Sequence, residues 1–214
     1  MDLKKAASYI DALYEKRTLN KRGYIAATQL QEFGTVVDDD VSRMLSLLVR
    51  LTRARRILEI GTSIGYSTAS MATVAKGHDG KILTIENDRD VAQQAIEHFQ
   101  RAGVAGNIEV QIGDAREIVP HIQEHFDFIF QDVGDKELYP LLFDDCVRLI
   151  KPGGLLVAED TLFPVMEPVT ELSGRETRSV AAIHKFNAMV ANSSFFDSTI
   201  LSIGDGLTLA VKVR

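Results

Sequence analysis

The chain has 214 residues, 45% of them hydrophobic and 25% charged. That fits one domain able to bury roughly 70% of its unfolded surface, with no polar tract that would forbid a core, and it excludes intrinsic disorder. A formal net charge of −6 gives no electrostatic footprint for a phosphate backbone, and a single cysteine, Cys146, excludes an internal disulfide framework and a cysteine-based zinc site.

The N-terminal run MDLKKAASYIDALYEKR holds no apolar stretch long enough for a signal peptide, and no later segment approaches a membrane span. A cytoplasmic protein with no membrane partner is expected. Nucleic acid is disfavoured as a partner by the acidic balance. Helices are expected over Leu3 to Arg17 and Val41 to Arg53, with Asp38, Asp39 and Asp40 as a cap region where the helix dipole favours acids.

Short β-rich apolar runs then alternate with helix-like segments. The strand candidates are Arg56 to Ile60 (RILEI), Lys81 to Glu86 (KILTIE), Ile108 to Ile112 (IEVQI), Phe126 to Gln131 (FDFIFQ) and Gly154 to Glu159 (GLLVAE). Between them, sets such as Val91, Ala95, Ile96, Phe99 and Ala102 have helical spacing, and Asp114 is placed to cap a helix over Ala115 to Glu124. Cys146 falls in such an apolar helical pattern and is expected to be a core thiol. Phe163 to Arg178 is the longest irregular stretch, as expected of a binding loop. Ser198 to Ile203, the turn Gly204-Asp205-Gly206 and Leu207 to Val213 read as a terminal hairpin. The expected fold is α/β, a doubly wound and mostly parallel seven-stranded sheet with an antiparallel C-terminal hairpin. It forms one domain over residues 1–214, with N-terminal helices over 1–53 and an α/β core over 55–214.

Ligands of such sheets bind outside the carboxyl ends of the strands, so the residues that end each strand matter most. The first strand ends in Glu59-Ile-Gly61-Thr-Ser-Ile-Gly65, a glycine turn whose spacing departs from the G-x-G-x-x-G of dinucleotide folds. The second ends in Glu86, placed either to cap the next helix or to accept two ribose hydroxyls. The third ends in Gly113-Asp114. A glycine turn with acids after the second and third strands describes a nucleoside pocket without a pyrophosphate fingerprint, which suits S-adenosylmethionine better than NAD.

The fourth strand ends in Asp132 and the fifth in Glu159-Asp160. Adjacent strands would bring these acids into one cleft, where they would repel unless a cation neutralised them. Oxygen-only ligands favour a divalent metal, Mg²⁺ first, with Mn²⁺ or Ca²⁺ as substitutes. His121 and His125 have i, i+4 spacing but lie away from the strand ends, and are read as solvated residues of a helix face. There is no G-x-S-x-G elbow and no phosphate-binding G-x-x-x-x-G-K-[ST] loop.

The ordered set SLLVRLTRARRILEIGTSIGYST, ILTIEND, VQIGDARE, FDFIFQDVGDKELY, LIKPGGLLVAEDTLF, IHKFN and IGDGLTLAVK resembles the cation-dependent class I O-methyltransferases, the group that contains catechol and caffeoyl-CoA O-methyltransferases. The resemblance implies a methyltransferase, Rossmann-like sheet, S-adenosylmethionine as methyl donor, a divalent metal and a homodimer. It puts Glu59, Gly61, Thr62, Ser63, Ser67, Glu86, Asp114, Ala115 and Asp132 in the cofactor-binding set. Asp132, Glu159 and Asp160 become the metal ligands, and Asp132 and Lys136 the catalytic pair. Two departures stand out. The usual D-A-D-K is one residue longer here, Asp132-Val-Gly-Asp-Lys136, so Asp135 and Lys136 compete for the catalytic lysine's position, with Lys136 the chemically sensible choice. Glu159-Asp160 replaces the usual Asp-Asn. The expected activity is metal-assisted methyl transfer to an oxygen of a small-molecule acceptor such as a catechol. Alternatives are methylation of a hydroxylated tRNA base and a non-catalytic S-adenosylmethionine-binding protein.

Overall fold

The computed structural model describes residues 3–14, 19–162 and 174–214, with the backbone alone for residues 3, 4, 6–8 and 11. Helices α1 (Leu3–Tyr14), α2 (Lys21–Ala26) and α3 (Asp39–Thr52) precede an alternating series. It runs β1 (Arg56–Ile60), α4 (Tyr66–Ala75), β2 (Lys81–Glu86), α5 (Arg89–Arg101), β3 (Ile108–Ile112), α6 (Ala115–Ile118), β4 (Phe126–Gln131), α7 (Leu138–Leu141), α8 (Phe143–Leu149) and β5 (Ile150–Ala158). Helix α9 (Gly174–Ala191) and the hairpin β6 (Phe196–Leu201) and β7 (Leu207–Lys212) close the chain.

The seven strands form one sheet in the order β3-β2-β1-β4-β5-β7-β6, in which β7 alone runs antiparallel to its neighbours. The expected fold is therefore observed. Side chains alternate across each strand, so two cores form on opposite faces of the sheet. Ile57, Ile82, Phe128 and Val157 pack with Val41, Leu45, Ala72 and Phe99 of α3, α4 and α5. Leu58, Ile60, Ile129 and Leu156 pack with Tyr139, Cys146 and Phe186 of α7, α8 and α9. Cys146 is fully buried, and burial pushes its thiol up to about 12, as befits a core residue.

The structure corrects several expected boundaries. The helix expected over Ala115 to Glu124 stops at Ile118 and gives way to a 3-10 turn over Val119–His121, because Pro120 has no N–H to continue the ladder. His121 and His125 are exposed and share no helix face. Strand β5 begins four residues earlier than expected, since Ile150 pairs with Phe126 before a bulge through Lys151-Pro-Gly-Gly154. Of the irregular stretch Phe163 to Arg178, residues 163–173 lie outside the described residues and the rest is the first turn of α9. Gly174-Arg-Glu-Thr-Arg178 carries no apolar residue, so no periodicity announces that turn. Among the described residues, no helix is long and apolar enough to cross a membrane.

Candidate active site

Both glycines of the turn after β1 have left-handed backbones, at φ 99° for Gly61 and 86° for Gly65. A Cβ at Gly61 would lie 1.8 Å from the Asp132 carbonyl oxygen, so only glycine lets this turn approach the loop after β4. Below the turn, Glu59 is fully buried and accepts hydrogen bonds from Ser67 (2.6 Å), Thr84 (2.6 Å) and Thr68. Thr84 in turn lies 2.6 Å from the Thr62 hydroxyl. Burial, opposed by these three hydroxyl donors, raises the Glu59 carboxyl to about 7. Glu59, Thr62 and Ser67 were expected in the cofactor-binding set. Their side chains form a hydrogen-bonded layer beneath the turn, with Ser67 on Glu59 and Thr62 on Thr84.

Above the turn is a cavity of about 540 Å³. Gly61, Ser63, Glu86, Asp114, Ala115 and Asp132 all line it, together with Phe33 and Gly34 from the segment before α3. Glu86 accepts from the backbone N–H of Ser63 (2.8 Å) and of Asp88 (3.1 Å). It does not cap α5; Asp88 does, through the N–H groups of Asp90 and Val91. Asp114 both lines the cavity and caps α6, accepting from the Arg116 N–H at 2.8 Å, and that bond is the main cause holding its carboxyl below the usual range.

At the Asp132 end the cavity meets a carboxylate cluster. One oxygen each of Asp132, Glu159 and Asp160 lies within 4.8 Å of the others. Strands β4 and β5 pair as far as Gln131 and Ala158, and the Glu159 N–H still donates to the Gln131 carbonyl at 3.1 Å, so both strands end level. In an extended strand, consecutive side chains would point to opposite faces. Asp160 escapes that rule by adopting a left-handed backbone, φ 61°, which brings it to the same side as Glu159. The β6–β7 turn closes the outer flank. A Cβ at Gly206 would lie 2.3 Å from the Leu162 nitrogen, and the Asp205 N–H donates to Glu159 at 3.3 Å.

Lys136 is buried and donates to the Asp160 carboxylate and to the Val133 carbonyl (2.8 Å), with its ammonium 5.2 Å from the centre of the Tyr139 ring. Asp135 points elsewhere, to Arg116. Between the two candidates for the lysine position, Lys136 is the one brought to the cluster. Burial, with the neighbouring charges of Asp160 and Asp132, pushes Glu159 far above the usual carboxylate range. Burial also lifts Asp132, against the pull of Lys136, to about 7. For Asp160 the burial effect is outweighed by the hydrogen bond from Glu159 and by Lys136, which hold it low. The cluster thus sets three converging acids beside one ammonium.

Sequence reasoning missed Thr84, Arg116 and the cavity wall at Phe33 and Gly34. A threonine inside the otherwise apolar KILTIE was a usable signal, since it pairs in register with Glu59. The other two carry no periodic mark.

A sequence model described as O-methyltransferase matches residues 12–213. A catechol O-methyltransferase of Niastella koreensis is 35% identical over 185 residues, covering 82% of this chain and 81% of its own length. A caffeoyl-CoA O-methyltransferase of Populus kitakamiensis is 33% identical over 188 residues, covering 84% and 79%. An O-methyltransferase of Streptomyces achromogenes involved in tomaymycin synthesis, solved in complex with S-adenosylmethionine, matches at TM-score 0.79 and 28% identity over 96% of each chain.

Proposed function

Because the chain belongs to the O-methyltransferase family, we propose that it transfers the methyl group of S-adenosylmethionine to a hydroxyl oxygen of a small molecule, a catechol or related vicinal diol. One observation carries this reading: Asp132 lines the cavity shared by Glu86 and Asp114 and also belongs to the carboxylate cluster, so a donor pocket and a reaction centre adjoin. Glu86, held by two backbone N–H groups, keeps lone pairs for the ribose hydroxyls. Asp114 and Ala115 would border the base. The relatives named for catechol and caffeoyl-CoA supply the acceptor class.

Asp132, Glu159 and Asp160 fit a hard divalent ion, Mg²⁺ or a substitute, since all the donor atoms are oxygen and they converge at the end of two rigid strands. When bound, such an ion supplies Lewis acidity that lowers the proton affinity of the acceptor hydroxyls. Lys136, beside Asp160, is the group in reach to take the proton that the acceptor oxygen gives up, once its amine has passed to solvent the proton it shares with Asp160. The oxygen lone pair forms the new C–O bond as the C–S bond breaks, and the bonding pair passes to sulfur and discharges the sulfonium. The cleft contributes by holding donor and acceptor in line.

The test is methyl transfer from labelled S-adenosylmethionine to a panel of catechols, flavonoids and CoA thioesters. A vicinal diol is expected to be methylated with stimulation by Mg²⁺. Asp160→Ala should lose that stimulation and still bind S-adenosylhomocysteine. Full activity of Asp160→Ala in chelator would sink the reading.

We further propose a homodimer. Tyr9 and Leu13 of α1 are 67% and 61% exposed, and Leu47 and Leu51 of α3 are 49% and 70% exposed. The Arg43 guanidinium lies 4.5 Å from the centre of the Tyr14 ring, joining the two helices. Apolar stripes of this kind mark protein contacts.

A further inference from the structure

Arg116 connects two loops that the chemistry uses separately. Its guanidinium donates through one nitrogen to Asp114 (3.0 Å) and through another to Asp135. Asp114 caps α6 and lines the nucleoside end of the cavity. Asp135 sits in the loop after β4, where its second oxygen accepts from the Glu137 N–H at 3.1 Å and its carbonyl accepts from Leu138 at 3.1 Å. Lys136 follows immediately. Asp114, Arg116 and Asp135 all line the same cavity.

Between Val133, which packs against the core, and the buried Lys136, packing does little to fix the loop. Gly134 is exposed, and a Cβ there would meet nothing within 4 Å. The shape of that stretch therefore depends on polar ties, and at Asp135 the tie to Arg116 reaches across the cleft, beside the one that Lys136 makes to Asp160.

We infer that Arg116 is a positioning residue, coupling occupation of the donor cleft to the placement of Lys136. The inference rests on the reading that the donor nucleoside fills the cavity beside Glu86 and Asp114. The Arg116 and Asp135 side chains are 44% and 40% exposed, and an ion pair so open to water contributes little. A ligand that covers the cavity excludes that water, and the same pair then strengthens as the local dielectric falls. The planar fork of arginine serves both carboxylates at once, which a lysine ammonium cannot match in geometry. Donor binding is thereby converted into order at the loop that holds the proton acceptor.

The test is amide hydrogen exchange of residues 133–139 in the full chain, with and without saturating S-adenosylhomocysteine, with calorimetry to establish saturation. In the wild type the ligand should slow exchange at Glu137, Leu138 and Tyr139 by about tenfold, the effect of closing a local opening. Arg116→Ala should bind the ligand and lose that slowing. Asp135→Asn, which keeps an oxygen for the Glu137 N–H, should lose it too, and Arg116→Lys should restore part of it. Turnover of Arg116→Ala should fall by about three- to tenfold with the acceptor KM little changed, and the double variant should be no worse than either single one. Undiminished ligand-dependent slowing in Arg116→Ala, or none in the saturated wild type, overturns the inference. Failure of the wild type to bind the ligand at all removes the donor reading and this inference with it, whereas binding without any methyl transfer strikes only the proposed reaction.

Discussion

Lys136 has few alternatives for its ammonium: the Asp160 carboxylate, the Val133 carbonyl and the face of Tyr139 surround it. Lys136→Met keeps much of the aliphatic stem and removes the proton-accepting group. It should lower kcat by about 10²- to 10⁴-fold, the usual worth of positioned acid–base catalysis, while calorimetric affinity for S-adenosylhomocysteine stays within about threefold. Glu59 allows a second test, on stability. Its carboxyl is raised from 4.5 to about 7, so the folded state holds a proton that the unfolded chain releases. The stability from this group is complete below about 4.5 and is lost as pH rises through about 7. Glu59→Gln cannot ionise. Urea unfolding between pH 5 and 8 should show wild-type stability declining relative to that variant, by at most about 1.4 kcal/mol per pH unit. Parallel curves would mean that Glu59 is ionised throughout.

Among the elements, the turn after β1 and the end of β5 depend on backbone conformations that ordinary residues avoid. Gly61→Ala would force a side chain into both a left-handed backbone and the Asp132 carbonyl. It should cost about 2 kcal/mol or more in urea unfolding and abolish binding of S-adenosylhomocysteine, because the wall between donor pocket and cluster would have to move. Element-level reasoning from sequence succeeded where an apolar run was bounded by turn residues. The limits of β1, β2, β3 and β4 were legible for that reason, as was the convergence of Asp132, Glu159 and Asp160, since acids at the carboxyl ends of adjacent parallel strands must meet. Sequence reasoning failed where the deciding contact is tertiary. The early start of β5 follows from pairing of Ile150 with Phe126, and the tie from Arg116 to Asp135 from the fold of two loops distant in sequence.

For the molecule as a whole, the distribution of apolar surface argues for assembly. The sheet is covered on both faces by helices, so the exposed residues of α1 and α3 are not needed to cover it. Arg43, Leu47 and Leu51 follow at intervals of four along α3, which sets them on one face of the helix, and Arg43 leans on Tyr14 of α1. A second copy that brought the same stripe against this one would make a two-fold contact in which each leucine meets apolar surface. Leu51→Glu would leave a carboxylate in that contact, facing its own symmetry mate. Light scattering at tens of micromolar chain should therefore give twice the chain mass for the wild type and the chain mass alone for Leu51→Glu. Leu51 closes α3 at the end opposite Asp39, whose carboxylate binds the Tyr66 hydroxyl at 2.5 Å, so the variant should keep wild-type affinity for S-adenosylhomocysteine. A wild-type chain that is monomeric at that concentration would refute the dimer, and its exposed leucines would then require another partner.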